Sequence, residues 1–242
     1  MHRSIPAIVL MCLFGCSSAP EPKEEATIPS APELTEPRSW TGYYSGSSSI
    51  GDGTVEEVAM WVRADSTFIL QRKLIGQDSV PDGAFGRWHP RGNELQLSTG
   101  KTEIGAYQVG DDGALTPGSG EGSSGGPVLE RLADAIGDAV PRMRVSGTYV
   151  LADDAQSFKP YGSTYEWPCV GGMDLGEEGG EAVNGFSNED LLRNYRKAVR
   201  MDGDPWEVEV ICTLGMGPAM EGEGADEYLF IGSVLGDAGS CP

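Results

Sequence analysis

The sequence is poor in histidine and in basic residues, and both shortages limit what the protein can do. Only one of its two histidines, His89, lies beyond the first fifteen residues. A single histidine excludes a zinc site built from several histidines. Lysine and arginine total 17 against 37 aspartates and glutamates, which gives a net charge of −20. A surface of this charge repels phosphate backbones, so nucleic acid is excluded as a partner.

The chain also lacks an apolar run long enough to cross a bilayer as a helix. Its longest run, residues 5–14, is about half of the ~20 residues that a spanning helix needs. Because it follows Arg3, it fits the hydrophobic part of a secretory signal. A small residue and a cysteine then close the run in the sequence Leu13-Phe14-Gly15-Cys16, which resembles the lipobox of bacterial lipoproteins.

We therefore predict a signal peptide over residues 1–15, cleaved before Cys16, with lipid including palmitate on that cysteine. Two or three acyl chains anchor a protein stably to a membrane. Ser17, rather than an aspartate, follows the cysteine, and in lipoproteins of Gram-negative bacteria this directs the protein to the outer membrane, facing the periplasm. The alternative is an ordinary signal cleaved elsewhere, with Cys16 a spare thiol.

Composition divides the rest of the chain into four parts. Residues 16–38 are rich in Pro, Ser and Glu without periodicity, which predicts a lipidated, disordered tether. A strand-rich unit is predicted over residues 39–116, and a flexible glycine-rich linker over residues 117–142. The second folded unit is predicted over residues 143–242.

Short alternating strands dominate the first unit. Glycine and aspartate turns separate six strand candidates, at residues 41–47, 55–63, 66–71, 83–88, 94–98 and 102–109. This spacing favours a small antiparallel β-barrel. The second unit has strand candidates on both sides of one helix, which Ser187 and Asp190 begin as a capping box. Strands with one helix suit a small barrel of the OB type, so the predicted fold class is mainly β.

The enzyme signals are weak. Residues 122–126 fit the G-x-S-x-G pattern of serine hydrolases, but that motif needs a strand before it and a helix after it. Here it lies within a run of glycine and serine. We therefore predict that the protein is not an enzyme.

Three cysteines remain once the signal is removed and Cys16 is acylated: Cys169, Cys212 and Cys241. An odd number in an oxidising compartment predicts one disulfide and one free thiol, without saying which two cysteines pair. Cys212, Met216 and Met220 are spaced four apart and are candidate ligands of Cu(I), which prefers sulfur. The alternative is that all three are ordinary core and loop residues.

Taken together, these segments resemble the NlpE family of outer-membrane lipoproteins, which is associated with copper resistance and envelope stress. In the first unit the resemblance is carried by residues 42–46, 65–70, 86–88, 95–97 and 107–109. In the second it is carried by residues 147–149 and 152–155, then by Phe158, Cys169, Glu189, Leu191, Tyr195, Pro205 and Cys241. It implies a lipocalin-like barrel followed by an OB-like barrel, and a disulfide between Cys169 and Cys241.

The sequence departs from the family at one motif. The family has a Cys-x-x-Cys pair shortly after the Tyr-x-Gly of its first strand, and counting from Tyr44 this chain has Ile50 and Gly53 at those two places. Without two thiolates there is neither a soft-metal clamp nor a redox pair at that place. Copper binding through this motif is therefore not expected here.

Two functions follow as expectations. The first is a non-enzymatic envelope lipoprotein in copper or envelope-stress homeostasis, contacting envelope signalling or lipoprotein-trafficking proteins. The alternative is a carrier that holds a small apolar ligand in the first barrel, among aromatic residues such as Trp61, Phe68 and Trp88. The volume inside that barrel distinguishes the two.

Overall fold

A computed structural model describes residues 40–51, 53–118, 126–133, 139–153, 155–172, 185–219 and 223–238. The predicted signal peptide and tether, including Cys16, lie outside these residues. The described residues form thirteen strands and one helix, which confirms the mainly β fold class. Within this part of the chain, no helix has the length and apolarity needed to cross a bilayer.

Eight strands build the first barrel. They are β1 Gly42–Ile50, β2 Thr54–Val62, β3 Thr67–Leu74, β4 Asp82–Arg91, β5 Glu94–Thr99, β6 Thr102–Val109, β7 Leu115–Pro117 and β8 Glu130–Ala133. Strands β1 to β7 form an antiparallel meander, and β8 returns to pair with β1. Two backbone hydrogen bonds of 2.8 Å between Leu115 and Leu129 connect β7 to the residue before β8, and so the ring closes.

Tight turns join the meander where the sequence supplies turn residues. Between β2 and β3, Asp65 Oδ1 accepts hydrogen bonds from the backbone N–H of Thr67 (3.0 Å) and from its hydroxyl (2.5 Å). These bonds offset the cost of Ser66, which adopts a φ of 65°. Alternate side chains of each strand then point inward, as in Tyr44, Met60 and Phe68.

The second barrel consists of β9 Ala139–Ala152, β10 Ala155–Pro160, β11 Trp167–Gly171, β12 Trp206–Pro218 and β13 Ala225–Asp237, with α1 Asn188–Ala198 between β11 and β12. Its strands close in the order β9-β10-β11-β13-β12-β9, and only β11 and β13 run parallel. A closed five-stranded barrel with a helix between its third and fourth strands has OB-type connectivity.

Helix α1 begins as its sequence predicts. The Ser187 hydroxyl accepts a hydrogen bond from the backbone N–H of Asp190 (3.2 Å), and Asp190 Oδ2 accepts one from the Ser187 backbone (3.0 Å). This reciprocal pair satisfies two N–H groups that a helix start leaves open. Leu191 and Tyr195 on the inner face are fully buried in the core of the second barrel.

The two barrels share an apolar interface. Trp61, Ile69 and Phe85 point outward from the first barrel and pack into the core of the second. The rings of Phe85 and Trp167 meet edge to face, with centroids 5.3 Å apart. Strand β8 and the first residues of β9 lie within the predicted linker 117–142, so these residues form strands rather than a loop, because they complete the two barrels.

Candidate functional site

The cysteines predicted to form a disulfide are only partly described. Cys169 and Cys212 are both buried, 4% and 1% exposed, and are not bonded to each other. Strand β13 lies between them, since Cys169 pairs with Leu229 and Cys212 with Ile231. Two strand spacings amount to about 9.6 Å, whereas a disulfide joins Cα atoms that are at most about 7 Å apart. This geometry excludes a Cys169–Cys212 pair.

Cys241 lies outside the described residues, so the Cys169–Cys241 disulfide stays a prediction. The distances along β13 show how the chain would have to run for this disulfide to form. Cys169 pairs with Leu229, eight residues before Asp237, which is about 26 Å of strand. The four residues from 237 to 241 span about 14 Å when fully extended. The pair therefore needs the end of β13 to leave its barrel and fold back.

Burial also lowers the reactivity of the Cys169 and Cys212 thiols. Burial raises the pKa of Cys212 to about 12. It also raises the pKa of Cys169, to which the neighbouring Cys212 and Glu166 contribute as well. Because the thiolate is the form that binds metal and attacks disulfides, neither residue is poised for redox or metal chemistry at neutral pH.

The structure does not bring the candidate copper ligands together. Cys212 and Met216 lie on the same strand, β12, and four residues of strand separate them by about 13 Å. Cys212 is buried inside the barrel, whereas Met216 is 47% exposed. Met220 lies outside the described residues. Among the residues that the structure does describe, no group of three or more His, Cys, Asp or Glu side chains could hold a metal ion.

The positions that replace the family's Cys-x-x-Cys pair form an ordinary turn. The backbone N–H of Gly53 donates a hydrogen bond of 3.0 Å to the carbonyl of Ile50, which joins β1 to β2. Gly53 has a φ of 88°, which favours glycine. Ile50 and Gly53 therefore contribute a tight turn and no side-chain ligand atoms.

One polar network, which we call the junction, connects the two barrels beside their apolar interface. Glu227 Oε2 accepts hydrogen bonds from Arg63 Nη1 (3.0 Å) and from Trp167 Nε1 (2.8 Å). Arg63 belongs to the β2–β3 turn, and its carbonyl accepts a further bond of 2.8 Å from Trp88 Nε1. The Arg63 and Glu227 side chains are only 22% and 29% exposed, so the pair is less screened than a surface salt bridge.

A cleft of about 590 Å³, which we call the inter-barrel cleft, opens between the two barrels. Asp82 and Ala84 of β4 and Thr99 of β5 form one wall, and residues of β9, β12 and the turn after β10 form the other. A volume of this size lies within the roughly 300–1,000 Å³ of small-molecule sites, which occur preferentially at domain interfaces.

The charged groups of the inter-barrel cleft are incompletely paired. Arg144 Nε is buried without a hydrogen-bond partner, and its contact with Asp82 Oδ1, at 3.3 Å, is an ion pair only. The side chain of Glu209, a half-buried residue, has no hydrogen bond or ion pair to another described residue. The cleft therefore offers both a cation and an anion to a ligand.

Tyr161 is one of the residues that line the inter-barrel cleft. Its hydroxyl donates a hydrogen bond to Glu207, whose other carboxylate oxygen accepts one of 2.9 Å from Thr148. Burial, followed by the contact with Glu207, raises the pKa of Tyr161 to about 12. Glu207 is thus occupied, whereas Glu209, two residues along the same strand, faces the opening.

Sequence reasoning missed the inter-barrel cleft because its residues come from four strands and two turns. Arg144, Ser146 and Glu209 alternate with buried residues, so each fits an outward-facing strand position. Nothing local in the sequence shows that a second barrel lies above them.

Comparisons with known proteins give little further information. No protein-family model matches the chain, and neither does any curated protein. One solved structure that resembles this chain is described as "Crystal structure of the Cpx pathway activator NlpE from Escherichia coli". It shares 17% sequence identity, the alignment covers 80% of this chain and 93% of that one, and the TM-score is 0.32. A likeness at this level carries no argument about function.

Proposed function

We propose that the protein is a non-enzymatic lipoprotein on the periplasmic face of the outer membrane, acting in copper or envelope-stress homeostasis through protein contacts. The sequence Leu13-Phe14-Gly15-Cys16 after an apolar run is the observation that carries the proposal. The family resemblance along both barrels supports the stress role. The partners would be envelope signalling or lipoprotein-trafficking proteins.

The packing of the first barrel supports this role over that of a ligand carrier. Its core is one cluster of eleven buried side chains, none more than 6% exposed: Tyr44, Val58, Met60, Val62, Phe68, Leu70, Leu95, Leu97, Tyr107, Leu115 and Leu129. Close-packed side chains leave no room for an apolar guest without displacing several of them. A carrier in this barrel would need a hollow interior.

Mass spectrometry of the protein purified from membranes tests the anchor. We expect a mature chain that begins at Cys16 and carries three acyl chains, and we expect a Cys16→Ser variant to keep its leader and lose the lipid. An intact leader with an unmodified Cys16 in the wild type would overturn the envelope assignment.

The stress role is tested in cells. Deleting the gene should lower copper tolerance or alter the response of envelope-stress reporters, and wild-type protein should restore both. If lipidated protein is made and its loss changes neither readout, the anchor stands and the proposed role fails.

Direct copper binding by the sulfur residues is tested separately. Because Cys212 is buried far from Met216, we expect Cys212→Ser and Met216→Leu to leave the Cu(I) affinity of the full-length protein unchanged. Competition with a chromogenic Cu(I) chelator measures this affinity. A loss of affinity in both variants would restore the sulfur site.

A further inference from the structure

The inter-barrel cleft carries both signs of charge on one face of the second barrel's sheet. Arg144 and Ser146 lie on the outer face of β9, and Glu209 of β12 is the direct cross-strand partner of Ser146. Arg144 and Glu209 are therefore diagonal neighbours on one face of the sheet, and such neighbours lie about 7–8 Å apart. No ion pair joins them, although both line the same opening.

The unused hydrogen-bonding capacity of Arg144 points to an anionic group. A guanidinium has five N–H donors arranged as a planar fork that fits a carboxylate. The side chain of Arg144 makes one ion-pair contact with Asp82 and no hydrogen bond to any described residue. Asp82 lies at the open rim, with 64% of its side chain exposed, and meets the guanidinium at Nε, so no hydrogen bond saturates the fork.

Glu209 supplies the opposite requirement. A half-buried carboxylate without a partner loses part of its hydration and gains nothing in return, so a cationic ligand group beside it is favoured. Ser146 lies next to it and adds a hydroxyl that can donate or accept. A ligand that carried only a negative charge would be repelled by Glu209, and one that carried only a positive charge would be repelled by Arg144.

We propose that the inter-barrel cleft binds a zwitterionic short peptide, with its carboxylate on Arg144 and its ammonium on Glu209. Two extended residues span about 7 Å, which is similar to the spacing of the two strand positions that carry these side chains. The Tyr161 ring and Ala84 provide apolar surface for the ligand's side chains. This site is independent of the lipid anchor and of the proposed stress role.

Titration of the full-length protein in detergent with alanyl-alanine tests the proposal, with NMR line broadening of the probe as the readout. We expect saturable binding that weakens about tenfold or more when the probe is N-acetylated or amidated, because each change removes a charge-assisted bond. No saturable binding, or equal binding of the blocked probes, would overturn the proposal.

Matched variants assign the two charges. Arg144→Gln should abolish the preference for a free carboxylate, and Glu209→Gln should abolish the preference for a free ammonium. Arg142→Gln, two residues away on β9, and Glu189→Gln, on helix α1, do not line the inter-barrel cleft and should bind as the wild type does. Unaltered thermal unfolding of all four variants excludes misfolding. If Arg144→Gln still preferred a free carboxylate and Glu209→Gln still preferred a free ammonium on the probe, the assignment of the two charges would be wrong.

Discussion

At the scale of single residues, burial rather than chemistry decides the fate of the cysteines. Cys212 combines 1% exposure with a pKa raised to about 12, so it lacks both access and thiolate. Its spacing to the methionines suggested a soft-metal or redox role. In the structure Cys212 instead packs as an apolar residue in the core of the second barrel.

We expect Cys169 and Cys212 to stay unlabelled by a disulfide-exchange reagent in the folded protein, and we expect Cys212 to react once the protein is unfolded. Absorbance of the released thiol counts the reactive cysteines, and Cys212→Ala should lower the count in denaturant by one. Rapid labelling of either residue under native conditions would contradict the burial. If Cys169 reacted in denaturant only after reduction, the predicted disulfide with Cys241 would be present.

Tyr161 makes a contact with Glu207 that stabilises the fold and is lost at alkaline pH. Its folded pKa of about 12 lies above the ordinary tyrosine value of about 10. The protonated phenol therefore stabilises the fold fully below pH 10, and this stabilisation is lost as the pH rises toward about 12.

We expect Tyr161→Phe to remove one late-ionising tyrosine from a titration followed by tyrosinate absorbance. The control Tyr165→Phe removes a tyrosine that is 45% exposed and makes no contact with Glu207, so it should leave that late step in place. An unchanged late step in Tyr161→Phe would show that the bond to Glu207 does not form.

At the scale of elements, local pattern predicts some strands well and others poorly. Strands β1 to β6 were expected because their polar and apolar residues alternate between turn residues. Strands β7 and β8 are three and four residues long, too short for a period to show. Strand β10, with the sequence Ala-Gln-Ser-Phe-Lys-Pro, buries only Phe158 and Pro160, and it forms because β9 and β11 pair with it.

The sequence of strand β3 carries a signal for the interface between the barrels, because apolar residues follow one another there without alternation. Its five residues from Thr67 to Gln71 are all buried, and an unbroken apolar run at 68–70 is typical of a strand covered on both faces. The inter-barrel cleft, by contrast, depends on which strands pair across 60 residues of sequence, and no local pattern carries that information.

Helix α1 is the element whose start can be tested most directly. We expect Ser187→Ala to lower the free energy of unfolding by about 1 kcal/mol, because the Asp190 N–H loses its acceptor. Ser187→Thr keeps the hydroxyl and should cost less. Urea denaturation measures both, and equal stabilities of Ser187→Ala and wild type would show that the cap contributes nothing.

At the scale of the whole molecule, the shared interface makes the two barrels one structural unit. The described residues between 40 and 238 belong to one compact unit. The junction at Glu227 and the hydrogen bond of 2.8 Å from Gln71 Nε2 to the Pro141 carbonyl add directional contacts to the packing of Phe85 against Trp167. Neither barrel can separate without exposing apolar surface.

We expect both barrels to unfold in a single cooperative transition, so that fluorescence and near-ultraviolet circular dichroism give the same midpoint. Phe85→Ala should lower the free energy of unfolding by about 3–5 kcal/mol because it opens a cavity in the shared core. Ile50→Ala, at a position 39% exposed, should change it by less than about 0.5 kcal/mol. Two separate transitions in the wild type would contradict the shared core.

The closure of the first barrel by β8 constrains how the chain acquires its shape as it is made. Arg131 Nη2 on β8 donates to the carbonyl of Thr41 across ninety residues of sequence, so the first barrel cannot close until about half of the chain has been synthesised. Until β8 arrives, β1 has an open edge that can join a foreign strand. Closing so long a loop is also slow. A chain emerging from a ribosome or a translocation pore therefore passes through a partly folded state with an exposed strand edge. A chaperone that bound this edge would prevent aggregation until β8 is available.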